Sequence, residues 1–82
     1  MTSGALANTL SSGINASVTT IPLTDASSFP TSGTILVDNE LITYTGKSSN
    51  DLTGGTRGAS GTTAATHSSG ATVKLAVGNP GS

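Results

Sequence analysis

Gly33-Thr34-Ile35-Leu36-Val37-Asp38-Asn39-Glu40-Leu41-Ile42-Thr43-Tyr44-Thr45-Gly46 is the stretch that decides the fold class. Two runs rich in β-branched and aromatic residues flank a short polar segment, which is the pattern of a β-hairpin. With Asn39-Glu40 as a two-residue turn, Asp38 faces Leu41, Val37 faces Ile42 and Ile35 faces Tyr44. Four apolar side chains then share one face. Thr34 with Thr45 and Leu36 with Thr43 occupy the other, a mostly hydroxyl-bearing surface that can be wet or covered by a partner. Asn-Glu is a weaker turn former than Asn-Gly, so a slightly longer loop with the same pairing is the alternative.

Upstream of the hairpin, residues 9–14 read as a weak strand ended by Asn15. Residues 18–24 alternate Val18 and Thr20 against Thr19 and Ile21, and Pro22, which cannot donate to a ladder, marks an edge strand or a bulge. Asp25-Ala26-Ser27-Ser28-Phe29-Pro30 reads as a turn capped by Asp25 that drops Phe29 into the core. Downstream, residues 47–51 read as a polar loop, and residues 52–58 as a short strand whose glycines allow bulges. Residues 59–70 contain no large apolar residue and read as a long surface loop. Val73, Leu75 and Val77 alternate with Thr72, Lys74 and Ala76 in a final strand. No apolar pattern of helical spacing persists, because Gly, Pro and paired Thr or Ser interrupt each window.

The expected fold is therefore all-β, a small antiparallel β-sandwich or partly open barrel of about five to seven short strands. Its expected core is Phe29, Ile35, Val37, Ile42, Tyr44, Val73 and Leu75. A single β domain spans residues 9–77, with a flexible arm at 1–8 and a flexible tail at 78–82. A chain of 82 residues hides only about 60% of the surface its unfolded form exposes, so its stability is expected to be marginal without help. The absence of Cys and the single His leave association with other subunits as the expected source of that help. Charged residues are 9% of the chain and the net charge is −1, which gives no electrostatic footprint for nucleic acid or an anionic membrane. Residues 1–8 lack the basic start and apolar run of a signal peptide, and no apolar stretch reaches the length of a membrane span. Synthesis as a soluble protein in the cytoplasm is the expectation.

Few residues invite a chemical role. His67 beside Ser68 and Ser69 lacks the third group and the pocket that a nucleophilic triad needs, so a loop hydrogen bond or a partner contact is the expected role of its imidazole. Gly46-Lys47-Ser48 imitates the end of a phosphate-binding loop, but position 41 is Leu where that loop needs Gly. Asp25, Asp38, Glu40 and Asp51 lack the closely repeated acidic spacing of a calcium loop and read as solvated turns and caps. Arg57, between glycines, is expected to pair with Asp38, Glu40 or backbone carbonyls to fix a loop. Asn15-Ala16-Ser17 has the form of a glycosylation acceptor. Thr62, Thr63, Ala64 and Ala65 carry short side chains that let another backbone approach, and with His67 they form the candidate partner surface. Exposed strand edges are a second route to association without charge. No catalytic residue, metal ligand or cofactor is expected.

From Phe29 through Lys47, and again at Leu52-Thr53-Gly54-Gly55-Thr56-Arg57-Gly58 and Gly61-Thr62-Thr63-Ala64-Ala65-Thr66-His67, the sequence resembles a small β module of tailed-bacteriophage virion proteins. The resemblance runs from near Val18 to Val73. It implies a non-enzymatic virion structural protein made in the host bacterial cytoplasm, where Asn15 would not ordinarily be glycosylated. Because the module stands with only short flanks, it most resembles a capsid decoration or cement protein that binds the outer shell in many copies. The partner so implied is the major capsid protein or another virion protein, with a homo-oligomer, a trimer first, as the expected assembly. Residues 1–8 would suit a terminal arm reaching over neighbouring subunits. A tail, baseplate or fibre module that meets the host surface is the alternative, although Tyr44 and Phe29, the two aromatic residues, are expected to be buried and unavailable to stack on a sugar.

Overall fold

Most of the β-branched and alternating runs become strands, but of the two expected over 9–14 and 18–24 only Thr9 and Ile21–Pro22 are strand, with isolated bridges at Leu10, Ile14 and Leu23. The computed structural model describes residues 7–78, and among them no helix forms. Eight strands follow in order: β1 (Ala7–Thr9), β2 (Ile21–Pro22), β3 (Gly33–Val37), β4 (Glu40–Tyr44), β5 (Gly46–Ser48), β6 (Asp51–Thr53), β7 (Thr56–Ala59) and β8 (Thr72–Gly78). They build a five-stranded sheet in the order β1-β8-β3-β4-β7 and a three-stranded sheet in the order β2-β6-β5. Every pairing is antiparallel, and the sheets do not close into a barrel.

One apolar cluster serves both sheets. Ile35, Val37, Ile42, Tyr44 and Val73 enter it from the larger sheet and Ile21 and Leu52 from the smaller. Leu10, Ile14, Leu23, Ala26 and Phe29 fill it from the connections, while Leu75 is only partly buried and packs at its side. The 26–29 turn is closed by the Phe29 N–H donating to the Ala26 carbonyl at 3.0 Å, and Asp25 accepts from the Ser27 N–H at its start. Pro22 lies on an edge strand, where its missing N–H leaves no gap in the ladder.

The central hairpin keeps the expected faces but not the expected register. Val37 pairs with Glu40, Ile35 with Ile42 and Gly33 with Tyr44, so the turn is Asp38-Asn39 and Glu40 opens β4. Asp38 adopts φ 55, a left-handed conformation that Asp tolerates better than most residues. Each pairing moves by two positions, which preserves side-chain parity, so Ile35, Val37, Ile42 and Tyr44 still face inward. Glu40 joins them, and Thr34, Leu36, Leu41 and Thr43 form the half-buried outer face.

Four further expectations are corrected. Residues 47–51 are a tight hairpin, not an open loop: Ser48 pairs with Asp51 across Ser49-Asn50, with Ser49 at φ 58. The single strand expected over 52–58 is split at Gly54-Gly55 into β6 and β7, which belong to different sheets. Ala7 and Asn8, expected in the arm, pair with Lys74 and Val73, and Asn8 also accepts the Asp25 N–H. Gly78, expected in the tail, closes β8 opposite Gly33. The rest of the expected arm (1–6) and tail (79–82) lies outside the described residues.

The pairing of β4 with β7 contains a bulge that sets up the site described next. Leu41 pairs with Ala59 and Thr43 with Thr56, so β7 carries one extra residue between these two pairs. Gly58 lies there at φ +59, and a Cβ on it would meet Ala64 N and Thr62 O at 3.0 Å each. Gly58→Ala is therefore expected to destabilise the protein by more than about 1 kcal/mol, through both backbone strain and crowding. Chemical denaturation checks this; an unchanged midpoint would show that the bulge tolerates a side chain.

Candidate functional site

The bulge turns Arg57 and the Gly58 N–H toward the first residue of β4, and Glu40 becomes the centre of a buried polar cluster. The Arg57 fork holds the carboxylate in two parallel bonds, Nε to Oε2 at 2.8 Å and Nη2 to Oε1 at 2.9 Å. Gly58 N donates to Oε2 at 2.8 Å and Ala65 N to Oε1 at 3.1 Å. His67 Nε2 lies 2.7 Å from Oε1. Glu40 is 1% exposed and His67 3%. Bidentate, charge-assisted geometry of this kind is what offsets the cost of removing a carboxylate from water.

Each partner of Glu40 also ties down another segment. Arg57 Nη1 donates to the carbonyls of Asn15, at 2.5 Å, and Val18, at 3.2 Å, and Nη2 donates to the Ala65 carbonyl at 2.7 Å. His67 exchanges both backbone hydrogen bonds with Ile14, each at 2.9 Å, and its Nδ1 lies 2.7 Å from Asp38 Oδ2 in the β3–β4 turn. Thr62 Oγ1 accepts from Leu41 N at 3.0 Å and donates to the Ala59 carbonyl at 2.7 Å. Among the described residues, no buried side-chain nitrogen or oxygen is left without a partner.

Among the residues expected to matter, Arg57 and Glu40 meet directly, while Asp38 meets His67 and not Arg57. The reading of Glu40 as a solvated turn residue is corrected, because parity places it on the inner face. Of the two roles expected for the His67 imidazole, the hydrogen bond is the one observed and the surface contact is corrected, because the ring is enclosed between Asp38 and Glu40. Both ring nitrogens face carboxylate oxygens. Thr63 and Ala65 are exposed, and Thr62 and Ala64 half-buried. A shallow depression of about 150 Å³ separates Asp38 and Asn39 from Thr63 and Thr66.

Two anchors were not anticipated. Asn15 Oδ1 accepts from the N–H groups of Ser17 and Val18, a local turn that aims the Asn15 carbonyl at Arg57; Asn followed by small residues was its signal. Lys47 Nζ donates to the carbonyls of Ala26 and Phe29 at 2.9 and 2.7 Å, and Asn50 Oδ1 accepts from Ala26 N at 3.0 Å. Together they bind the 26–29 turn to the β5–β6 hairpin, a long-range pairing with no local sequence signal.

Burial by itself raises the pKa of a carboxyl, but the Arg57 fork, the His67 ring and the two backbone N–H groups outweigh it and hold Glu40 down to about 2. The ordinary value is 4.5, so the folded state resists protonation more than the unfolded state. The contribution of Glu40 is then fully present above the ordinary value and is lost as pH falls toward the folded one. Stability is expected to drop by about 3 kcal/mol from this group across that window, and Glu40→Gln is expected to remove that slope while lowering stability at neutral pH. Denaturant midpoints measured from neutral to strongly acidic pH check it; equal slopes in the two proteins would refute it.

No protein-family profile, no curated protein and no solved structure matches this chain.

Proposed function

We propose that this chain is a structural protein of a tailed-bacteriophage particle, a capsid decoration or cement module that docks on the outer shell and bridges major capsid subunits. The observation that carries this reading is the fixed presentation of the 60–71 connection. It has no large apolar side chain to hold it, yet Glu40, Arg57 and His67 grip it from beneath. Its outward residues, Thr63, Ala65 and Thr66, are short and exposed, so another backbone can approach closely. A loop already ordered before binding loses little conformational entropy on docking. The sequence resemblance to phage virion modules supplies the class of assembly.

Charge plays little part in this docking. Of the three cations, Arg57 and Lys47 are spent on internal partners, and Lys74 is exposed on β8. Shape and backbone complementarity at Thr63 and Ala65 carry the contact, with Thr62 and Ala64 as its half-buried base. His67 acts from inside, as the residue that positions the loop. The chain acts without catalysis or cofactor, and each copy adds a modest contact that many symmetric copies, in trimers, convert into shell resistance through avidity.

The test is the number of copies of the chain per purified virion, measured against the major capsid protein by quantitative mass spectrometry. A ratio near one, or a simple fraction of it, is expected. A handful of copies would move the module to the tail, and complete absence would overturn the structural reading. Thr63→Arg and Ala65→Arg are expected to lower particle occupancy on the order of tenfold or more with the fold unchanged.

A further inference from the structure

His67 is the single histidine of the chain, and its ring is held between two carboxylates, Nδ1 to Asp38 Oδ2 and Nε2 to Glu40 Oε1, each at 2.7 Å. An ionised carboxylate only accepts, and a neutral imidazole donates from one nitrogen alone. Glu40 is fixed as an acceptor, since Arg57 and the N–H groups of Gly58 and Ala65 converge on it. Both contacts are met at once only by a ring that carries both protons.

The two contacts differ in what replaces them. The Glu40 side chain is 1% exposed and has no water to turn to, whereas the Asp38 side chain is 56% exposed. A ring that gives up one proton therefore keeps Nε2–H on the buried carboxylate and releases the exposed one. We propose that the Asp38–His67 contact is a proton-operated latch, which closes the β3–β4 turn onto residues 63–67 when the ring is doubly protonated and lets the two part when it is not.

The surrounding charges are consistent with a switch operated at this one ring. Asp38 faces it from the turn and Glu40 from β4, with Arg57 of β7 behind Glu40. The segment before β2 offers it the backbone of Ile14, and its own loop offers Ser68 and Ser69, neither of them titratable near neutral pH. Lys74 of β8 borders, with Asp38, a separate depression on the outer sheet face. What opens is the depression of about 150 Å³ between the turn and the loop, so the shape of the surface at Thr63, Ala65 and Thr66 is coupled to one proton. The latch belongs to the free chain and stands whatever the loop docks on.

NMR of the isotope-labelled free chain tests it, because one histidine gives one pair of ring nitrogen signals. Below the ring's titration midpoint both nitrogens are expected to carry protons, and the Asn39 and Thr66 amides to show order parameters near ~0.85. Above it, Nδ1 loses its proton, the Asp38 carboxyl carbon shifts with the same midpoint, and those order parameters fall toward ~0.6, while Ile35 and Ile42 stay rigid. Asp38→Asn, a surface change at a left-handed position that Asn also accepts, is expected to keep the fold and abolish the pH step in the turn. A ring with a single proton throughout the range in which the turn is rigid would overturn the latch, as would a step of full size in Asp38→Asn.

Discussion

The carboxylate of Glu40 takes five hydrogen bonds, from both arms of the Arg57 fork, two backbone N–H groups and the His67 ring. Most of the irregular structure depends on that convergence. The donors come from β7 and from the 60–71 connection, and Arg57 extends the reach to Asn15 and Val18. A connection built from Gly, Ser, Thr and Ala has too little apolar surface to be fixed by packing. A buried charge with fully committed partners does that work, because any other loop conformation would strand Glu40 or Arg57 without a partner, at a cost of several kcal/mol. The cluster therefore contributes to uniqueness of conformation as much as to stability.

Its assembly depends on small backbone devices acting together. The left-handed Asp38 closes the hairpin one residue early and brings Glu40 into the ladder. The β7 bulge at Gly58 adds the residue that lets both Arg57 and the Gly58 N–H point at the same carboxylate. Without the first, Glu40 would sit in a turn in water; without the second, Arg57 would follow plain alternation along the strand.

These devices also explain what the sequence disclosed. Alternation at 35, 37, 42 and 44 made the inner face of the hairpin legible, the same period marked Val73 and a turn placed Phe29. Leu10, Ile14, Ile21, Leu23, Ala26 and Leu52, half of the buried apolar core, lay in runs too short or irregular to show which side chains face inward. Leu75 was only half right, because a register shift in the β3–β8 pairing falls beside it. The turn position was harder to read: Asp38-Asn39 and Ser49-Asn50 use left-handed non-glycine residues, whose preference is weak beside that of Asn-Gly. Glu40 shares parity with Ile42 and Tyr44, and that was a usable sign of burial, overridden by the habit of placing a charged residue in the turn. His67 had no such sign, since its partners lie 27 and 29 residues away and nothing in a Gly/Ser/Thr stretch marks which residue turns inward.

The molecule divides its anchoring by chemistry. Apolar side chains hold the two sheets together and anchor the connections over 10–29, and polar side chains add further ties: Glu40, Arg57 and His67 at one place, Lys47 and Asn50 at another. Two of three cations and the one histidine are thus committed inward, which leaves a surface dominated by hydroxyl and methyl groups. Such a surface steers no partner from a distance, since long-range attraction needs exposed charge. In the docking role proposed above, affinity would arise only at contact, where a preformed loop and close backbone approach reduce the entropic cost of binding. That role calls for a partner presenting many identical sites, because repetition supplies what an individual contact lacks.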